Sequence, residues 1–506
     1  MLKSIQESPL YRIANPRSIA FFGASNNIFA MGTNLLISLK ALGFDGSIYP
    51  VHPEEDHVQG LKAYRSVLDL PVAADMAVVA LPARIVSQIL DECGKKGIKH
   101  AIVVSGGFKE VGGQGIELEK ELVEIANKYR IRLLGPNCIG VANPPHKLNT
   151  TLLPYQGPPG FIGMASQSGS FITQMFHYLS GFGLGFSTAF SVGNEANIDI
   201  IDCIEYLGAC PFTKVIALYI EGIRRGRVFV ETVRIITPHK PIVAFYAGGS
   251  ETGKRAGFSH TGALAGPDPL YEGMFRQSGV IRARSVTELF DFCWVLGTQP
   301  RPKGRRVAIQ THSGGPGAEA ADACGRVGLD LPALSMETLD KLAPYVPKTS
   351  RLTNPVDLTF IKNHLDYFSN IPRILMEESN IDILLIYVLM LQQAVKRALE
   401  AMGVPKEQEA EKMSDLIDAQ CQSIFRLLET HDKPLVGYTY QSFHEELIRG
   451  LLDRGVPVFP GPERAAHALA ALAEYAKLRE RTNFNNEPES LKIEAHQPQE
   501  GTSKCF

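Results

Sequence analysis

Short, continuously apolar segments alternate with amphipathic helical patterns along most of the chain. In the first part they occur at 18–25, 46–53, 75–82, 100–107 and 131–140. Helical patterns such as ARIVSQILDECGKKG and GIELEKELVEIANKYR lie between them. Strands without polar alternation are typical of parallel sheets whose two faces are both covered by helices. The alternation therefore predicts an α/β protein built from doubly wound sheets.

The same pattern restarts twice, near 160–170 and near 303–317. The segments that join the three parts, 143–160 and 296–306, are rich in proline, glycine and polar residues, as linkers are. A length of 506 residues agrees with three units of roughly 150 residues each. We predict domains at 1–145, 146–300 and 301–477, followed by a polar, disordered tail at 478–506.

Composition and charge exclude several classes of partner. A net charge of −2 offers no electrostatic basis for binding nucleic acid or an anionic membrane. No apolar run approaches the ~20 residues that span a bilayer, and no apolar segment resembling a signal peptide precedes the first strand. The eight cysteines are scattered and form no C-x-x-C pair. We expect a cytoplasmic protein without a metal site, a membrane partner or a nucleic-acid partner.

A glycine-containing loop, GASNN at 23–27, follows the first strand and precedes a helix. This position suits a pyrophosphate, because backbone N–H groups and a helix N-terminus point toward it. The spacing departs from G-x-G-x-x-G at Ser25, and the second strand runs into His52 and Pro53 instead of the acidic residue that binds an NAD ribose. A pyrophosphate ligand other than NAD is favoured. An NAD-dependent dehydrogenase and a turn that only packs the helix remain alternatives.

Two further loops of small residues lie between a strand and a helix. They are SQSG at 166–169 and HSGGPG at 312–317. Their N–H groups, their hydroxyls and the helix dipole favour a bound anion, although each could also be only a tight turn. Neither loop is followed by G-K-[ST], so neither is a Walker A loop. The sequence indicates repeated phosphate handling without an ATP site.

A single histidine, His260, lies in the glycine-rich stretch RAGFSHTGALAG at 255–266. Most histidines have packing or surface roles, but the neighbouring glycines would let this loop move, and Ser259 and Thr261 could donate hydrogen bonds to an anion. A neutral imidazole can attack a phosphoryl group. Glu221 ends the apolar strand VIALYIEG, at the edge where such sheets bind ligands, and could orient that imidazole. An ordinary strand-end carboxylate is the alternative.

The chain up to about residue 477 resembles the NDP-forming acyl-CoA synthetases, especially the α subunits of ADP-forming acetate–CoA ligases. Succinyl-CoA synthetase is a more distant relative. The resemblance is carried by GASNN…MGTNLLISLKALGFDGSIYPVHP, GFKEVGGQGIELEKELVEIANKY, LLGPNCIGVANP, SQSGS, SVGNEANIDIIDCIEYL, YIEGI, SHTGALAG and GGPGAEAADACGRVGLDLP. It implies an N-terminal Rossmann-like CoA-binding domain followed by two flavodoxin-like doubly wound domains.

The resemblance also implies functional residues. His260 would carry the phosphoryl group, and Glu221 would be its carboxylate partner. The CoA-binding residues would be Gly23, Ala24, Ser25, Asn26, Asn27, Pro50, Val51 and Pro82. The phosphate-binding residues would be Ser166, Gln167, Ser168, Gly169, Gly314 and Gly315. His312 stands where the family pattern leads us to expect Asn.

The implied reaction converts acyl-CoA, phosphate and NDP reversibly into acid, CoA and NTP, through an acyl phosphate and a phosphohistidine. Three α/β domains and a tail leave no room for an ATP-grasp domain. We therefore expect ATP or ADP and Mg²⁺ on an ATP-grasp β subunit, in an α2β2-like hetero-oligomer that acts on a small carboxylic acid. A CoA-sensing protein that lost the chemistry is the main alternative, and the dehydrogenase is a weaker one.

Overall fold

The computed structural model describes residues 4–250, 252, 266–348, 352–390 and 392–481. Within these residues, three sheets made mainly of parallel strands follow one another along the chain. The predicted α/β class is confirmed. No helix in these residues is long and apolar enough to cross a membrane.

The first unit is a five-stranded parallel sheet in the order β2-β1-β5-β6-β7. The chain adds β2 on one side of β1 and then crosses to the other side of β1 to form β5. Such a reversal of strand order creates the crevice where open α/β sheets bind ligands. The strands are β1 Ser18–Phe22, β2 Ser47–Val51, β3 His57–Val58, β4 Leu61–Lys62, β5 Met76–Val79, β6 His100–Val103 and β7 Arg132–Leu134, with β3 and β4 forming a separate hairpin. The helices are α1 Tyr11–Ala14, α2 Met31–Ala41, α3 Ala83–Lys96 and α4 Gln114–Tyr129.

The second unit is a seven-stranded sheet in the order β14-β13-β12-β10-β11-β8-β9. Strands β10 to β14 are parallel, and the buried strands β10, β11 and β12 form the centre of the sheet. The strands are β8 Val141–Asn143, β9 Leu148–Asn149, β10 Ile162–Ser166, β11 Phe186–Ser191, β12 Val215–Ile220, β13 Ile242–Tyr246 and β14 Ile281–Ala283. The helices are α5 Gly169–Gly181, α6 Ile200–Ala209, α7 Gly226–Ile236, α8 Asp268–Ser278 and α9 Val286–Thr298.

The junction between the first two units differs from the expected linker. Strands β8 and β9 form a hairpin that extends the second sheet antiparallel to β11, so chain before the predicted boundary at 145 contributes to the second sheet. Thr150 closes this hairpin, because its Oγ1 accepts a hydrogen bond from the Val141 N–H at 2.9 Å. The sequence predicts a loop here because each strand has only two or three residues, which is too few to show the alternation of a strand.

The third unit is a five-stranded parallel sheet in the order β16-β15-β17-β18-β19. The strands are β15 Val307–Thr311, β16 Val356–Asp357, β17 Ile383–Tyr387, β18 Leu435–Thr439 and β19 Val458–Pro460. The helices are α10 Gly314–Arg326, α11 Met336–Leu342, α12 Asn370–Glu377, α13 Gln392–Ala401, α14 Lys406–Thr430, α15 Glu446–Asp453 and α16 Pro462–Arg481. Helix α16 thus continues four residues past the expected domain end at 477, and residues 482–506 of the expected tail lie outside the described residues.

The second and third units share one apolar core, in which α9 packs against α16. The Trp294 ring of α9 lies 5.0 Å from the Phe459 ring of β19, measured between centroids. Beside these rings, Arg464 of α16 makes two hydrogen bonds of 2.6 and 2.8 Å to the buried Asp291 carboxylate. The Arg464–Asp291 ion pair and the continuous apolar core fix the second and third units relative to each other.

Candidate functional site

The loop after β1 closes through two glycines that have no space for a side chain. Gly23 has a φ of +93°, and a Cβ there would lie 2.2 Å from the carbonyl oxygen of Ala80. A Cβ on Gly32, in the first turn of α2, would lie 2.3 Å from the carbonyl oxygen of Gly23. The Ser25 N–H donates to Thr33 Oγ1 at 3.0 Å and so ties the loop to the same turn. The N-terminus of α2 is thereby held close to the end of β1.

The residues expected to bind CoA lie at one edge of the first sheet. Phe22, the last residue of β1, is paired with Val51 at the end of β2 and with Val79 at the end of β5. Loop 23–27, Pro50 with Val51, and Pro82 therefore end or follow three neighbouring strands. The chain crosses over at this edge, the usual ligand position of an open α/β sheet. Contact of these residues with CoA stays a prediction.

In the second unit, Gln167 joins the first small-residue loop to Glu221. Its Oε1 accepts hydrogen bonds from the Glu221 N–H at 2.5 Å and the Gly222 N–H at 3.0 Å. Its Nε2 donates to the Gly222 carbonyl at 2.7 Å. Within the loop, the buried Ser166 hydroxyl donates to the Ser168 carbonyl at 2.7 Å. The expected carboxylate and the expected phosphate loop are therefore neighbours at the carboxyl edge of the sheet.

A cavity of about 720 Å³ opens at this edge, between the first and second units. Gln167 and Glu221 line it, and so does Gly266, the first residue described after the segment that contains His260. The first unit contributes Lys109 and Glu119 to its wall. The other lining residues are Ile116, Gly193, Asn194, Glu195, Gly222, Ile223, Arg224, Leu270 and Tyr271. His260 itself lies outside the described residues.

A polar network on the cavity wall connects the two units, and the sequence did not reveal it. Asn194 Nδ2 donates to Glu110 at 2.6 Å and to Glu119 at 2.8 Å. Lys109 pairs with Glu119 at 3.0 Å and also donates to the Asn194 carbonyl. Arg224 donates to the same carbonyl at 2.7 Å. The motif SVGNEAN after β11 was a usable signal for a ligand loop, but its partners lie about 30 to 85 residues away.

Glu195 is a buried carboxyl group on this wall, with only 7% of its surface exposed and a φ of +54°. Its Oε1 accepts a hydrogen bond from the Ile200 N–H at 2.9 Å. Burial raises the pKa of Glu195 to about 7, although the Ile200 N–H, the Arg224 charge and the Gln167 amide all act to lower it. The group therefore changes charge near neutral pH.

The second small-residue loop repeats the local geometry of the first. The Thr311 hydroxyl donates to the Ser313 carbonyl at 2.9 Å, as Ser166 does to Ser168, and Gly314 and Gly315 then begin α10. His312 stacks on the buried Tyr367 ring with 3.6 Å between centroids. This contact gives the residue that replaces the expected Asn a packing role.

The C-terminal end of α5 contacts the third unit. Phe443 and Arg449, which follow β18 in the third unit, contact Phe182 and Gly181 at the C-terminal end of α5. This end lies about 20 Å from Gly169, since α5 has 13 residues that rise 1.5 Å each. The end of α5 that contacts Phe443 and Arg449 is therefore the one opposite to the loop at 166–169, which lies beside Glu221.

Comparison with known proteins agrees with this architecture. Residues 17–144 match the CoA binding domain family, and residues 159–296 match the succinyl-CoA ligase like flavodoxin domain family. The α subunit of acetate–CoA ligase [ADP-forming] II from Pyrococcus furiosus is 38% identical, over 92% of this chain and 97% of the relative. Acetate–CoA ligase [ADP-forming] I from Archaeoglobus fulgidus is 37% identical, over 92% of this chain and 64% of that relative.

A solved structure shows the same fold along nearly the whole chain. The dinucleotide forming acetyl-coenzyme A synthetase 1 of Ca. Korarchaeum cryptofilum, in complex with phosphate and ADP, superposes with a TM-score of 0.81 at 32% identity and covers 93% of this chain and 97% of that one. A CoA-binding domain followed by a succinyl-CoA ligase like domain defines a class of acid–thiol ligases, not a dehydrogenase. Within this class, the chain belongs to the family of ADP-forming acetate–CoA ligase α subunits.

Proposed function

We propose that this chain is the α subunit of an NDP-forming acyl-CoA ligase in which His260 carries the phosphoryl group and Glu221 assists it. The observation that carries this proposal is that Glu221 and Gly266 line one cavity. Gly266 follows the His260 segment by only six residues, and its carbonyl accepts a hydrogen bond from Tyr246 at 2.8 Å. The described chain thus resumes at Gly266, beside Glu221 and six residues after His260.

The proposed reaction has three steps, which form an acyl phosphate, a phosphohistidine and an NTP in turn. Phosphate attacks the thioester carbonyl of acyl-CoA, which forms an acyl phosphate and releases CoA. An imidazole nitrogen of His260 then attacks the phosphorus, so that the acid leaves with the bridging oxygen. An oxygen of NDP finally takes the phosphoryl group and regenerates neutral His260. The Glu221 carboxylate would orient the ring and stabilise the positive charge that it gains in the second step.

CoA would bind at the edge of the first sheet around loop 23–27, with its pyrophosphate at the N-terminus of α2. The close approach of Gly23 and Gly32 supports this assignment, because it leaves the loop backbone accessible at the crevice. Phosphate would bind at loop 166–169, where the first N–H groups of α5 have no intrahelical acceptors. The substrate would be a small carboxylic acid, since the relatives named above act on acetate.

A second subunit of the ATP-grasp type would supply the nucleotide and its Mg²⁺. Relatives of matching length are named α subunits, whereas the Archaeoglobus relative is a longer chain of which this one covers 64%. His260 would carry the phosphoryl group between this chain and the partner, in an α2β2-like assembly.

The test compares His260→Asn and Glu221→Gln with the wild-type chain, each purified with its partner. Incubation with acetyl phosphate or labelled ATP should phosphorylate wild type, leave His260→Asn unlabelled, and label Glu221→Gln at least about 10²-fold more slowly. CoA binding, measured by calorimetry, should be unchanged in both variants. Label on His260→Asn, or a normal rate for Glu221→Gln, would contradict the respective role.

A further inference from the structure

Gln167 lies in the expected phosphate loop, but its side chain is already engaged with protein backbone. Three hydrogen bonds, of 2.5, 3.0 and 2.7 Å, join its amide to the N–H groups of Glu221 and Gly222 and to the Gly222 carbonyl. An amide side chain offers two donor hydrogens and one acceptor oxygen. The oxygen is therefore shared by two donors, and one of the two hydrogens is used.

The sheet register brings this amide to the position of Glu221. Ser166 of β10 is paired with Tyr219 of β12, and the Gln167 N–H continues the pairing by donating to the Tyr219 carbonyl at 3.2 Å. The Gln167 side chain therefore meets the chain immediately after β12 ends, where Glu221 and Gly222 have left the strand. The Gln167 amide thus takes the place of the backbone hydrogen bonds that Glu221 and Gly222 would have made if β12 were longer.

A second carboxyl group, that of Glu195, lines the same cavity as Gln167. Glu195 is nine-tenths buried and accepts a hydrogen bond from the Ile200 N–H at 2.9 Å. The Gln167 amide is held by its three hydrogen bonds to the backbone that carries Glu221. An amide held in this way has few alternative rotamers, which restricts the conformation of the turn at 221–222.

We propose that Gln167 is a positioning residue that directs the Glu221 carboxylate by clamping the Glu221–Gly222 backbone, and that it is not a phosphate ligand. Phosphate is left to the backbone N–H groups of Ser168 and Gly169 and to the hydroxyl of Ser168, at the N-terminus of α5. The proposal rests on the function proposed for Glu221, and it refines the phosphate-binding role predicted for Gln167. A misdirected Glu221 would slow phosphoryl transfer without weakening ground-state phosphate binding.

The test is steady-state kinetics of Gln167→Met in the native complex, with acyl-CoA, ADP and varied phosphate. Methionine keeps the volume of glutamine and removes all three hydrogen bonds. We expect kcat to fall about 10²-fold while KM for phosphate changes less than about 2-fold, since misplacement of a reacting group acts on the chemical step. Gln174→Met, a substitution at an exposed position of α5, the helix that follows the loop, is the matched control and should match wild type in both constants.

A double variant separates positioning from an independent effect. If Gln167 acts through Glu221, Gln167→Met combined with Glu221→Gln should be no more than about 3-fold slower than Glu221→Gln alone. Multiplying losses, or a phosphate KM raised tenfold at unchanged kcat, would overturn the positioning role, and so would normal kinetics of Gln167→Met beside an impaired Glu221→Gln. Normal kinetics of Glu221→Gln would overturn the proposed function itself.

Discussion

At the scale of single residues, the feature with the clearest physical consequence is the buried Glu195 carboxyl. Its folded-state pKa of about 7 lies above the ordinary value of 4.5 because burial disfavours the carboxylate. Between these two pH values the folded state binds more protons than the unfolded state, so its free energy of unfolding decreases as the pH rises. Well above pH 7, ionisation of the buried Glu195 lowers the free energy of unfolding by its full amount, about 3 kcal/mol at 1.4 kcal/mol per pKa unit.

We therefore predict that Glu195→Gln becomes more stable than wild type as the pH rises. The amide is neutral at every pH, and its oxygen can still accept from the Ile200 N–H. The melting temperatures of the two proteins should be similar at pH 5, and the variant should melt several degrees higher at pH 8, measured by scanning calorimetry. Glu124→Gln, an exposed substitution in α4, is the control. A difference that is constant from pH 5 to pH 8 would contradict the buried titration.

At the scale of elements, the turn from β1 into α2 depends on glycine at position 23 for two separate reasons. Its φ of +93° costs another residue roughly 1–2 kcal/mol, and a Cβ would also meet the Ala80 carbonyl at 2.2 Å. Backbone cannot move aside as a flexible side chain can. Any side chain at this position must therefore push the ends of β1 and β5 apart.

We predict that Gly23→Ala weakens CoA binding more than tenfold while the rest of the chain stays folded. Calorimetric titration with CoA measures the loss, and circular dichroism checks the fold. Gly60→Ala separates the two causes, because Gly60 also has a positive φ, of +81°, but a Cβ there would meet nothing within 4 Å. Equal losses in the two variants would show that backbone conformation, not the close approach to Ala80, maintains the turn.

At the scale of the whole molecule, the described residues form three α/β units, of which the first matches a CoA binding domain family and the second a succinyl-CoA ligase like flavodoxin domain family. The second and third units share one apolar core, and the Asn194 network joins the first unit to the second. Relatives of matching length are named α subunits, which supports the nucleotide-binding second subunit proposed above.

We predict that the purified chain alone makes no acyl-CoA from acid, CoA, ATP and Mg²⁺. Adding the co-purifying subunit should restore thioester formation coupled to NDP release, and His260→Asn should abolish it in the mixture. The assay follows NDP and CoA thiol together over a panel of short acids. Robust coupled turnover by a single band on a gel would contradict the two-subunit assignment.

The sequence by itself was sufficient for most of the sheets. Strands β1, β2, β5, β10, β12, β15 and β18 coincide with the predicted apolar runs. All of them except β2 are buried along nearly their whole length, and burial on both faces is a local property of four to six residues. The glycine loops and Glu221 could be located in the same way, as they directly follow such runs. His260 was proposed from its neighbours alone and lies outside the described residues.

Tertiary structure decided what could not be read locally. The hairpin β8–β9 belongs to the second sheet only because β11 offers it an edge, and Asn194 meets Glu110 and Glu119 only because the first two units pack together. The Gln167 amide meets the Glu221 backbone only because of the register of β10 against β12, and the phosphate-binding role predicted for Gln167 stays a prediction. Periodicity reports how one segment is buried. A hydrogen bond between segments 50 to 85 residues apart depends on how those segments pack, and no local pattern encodes that.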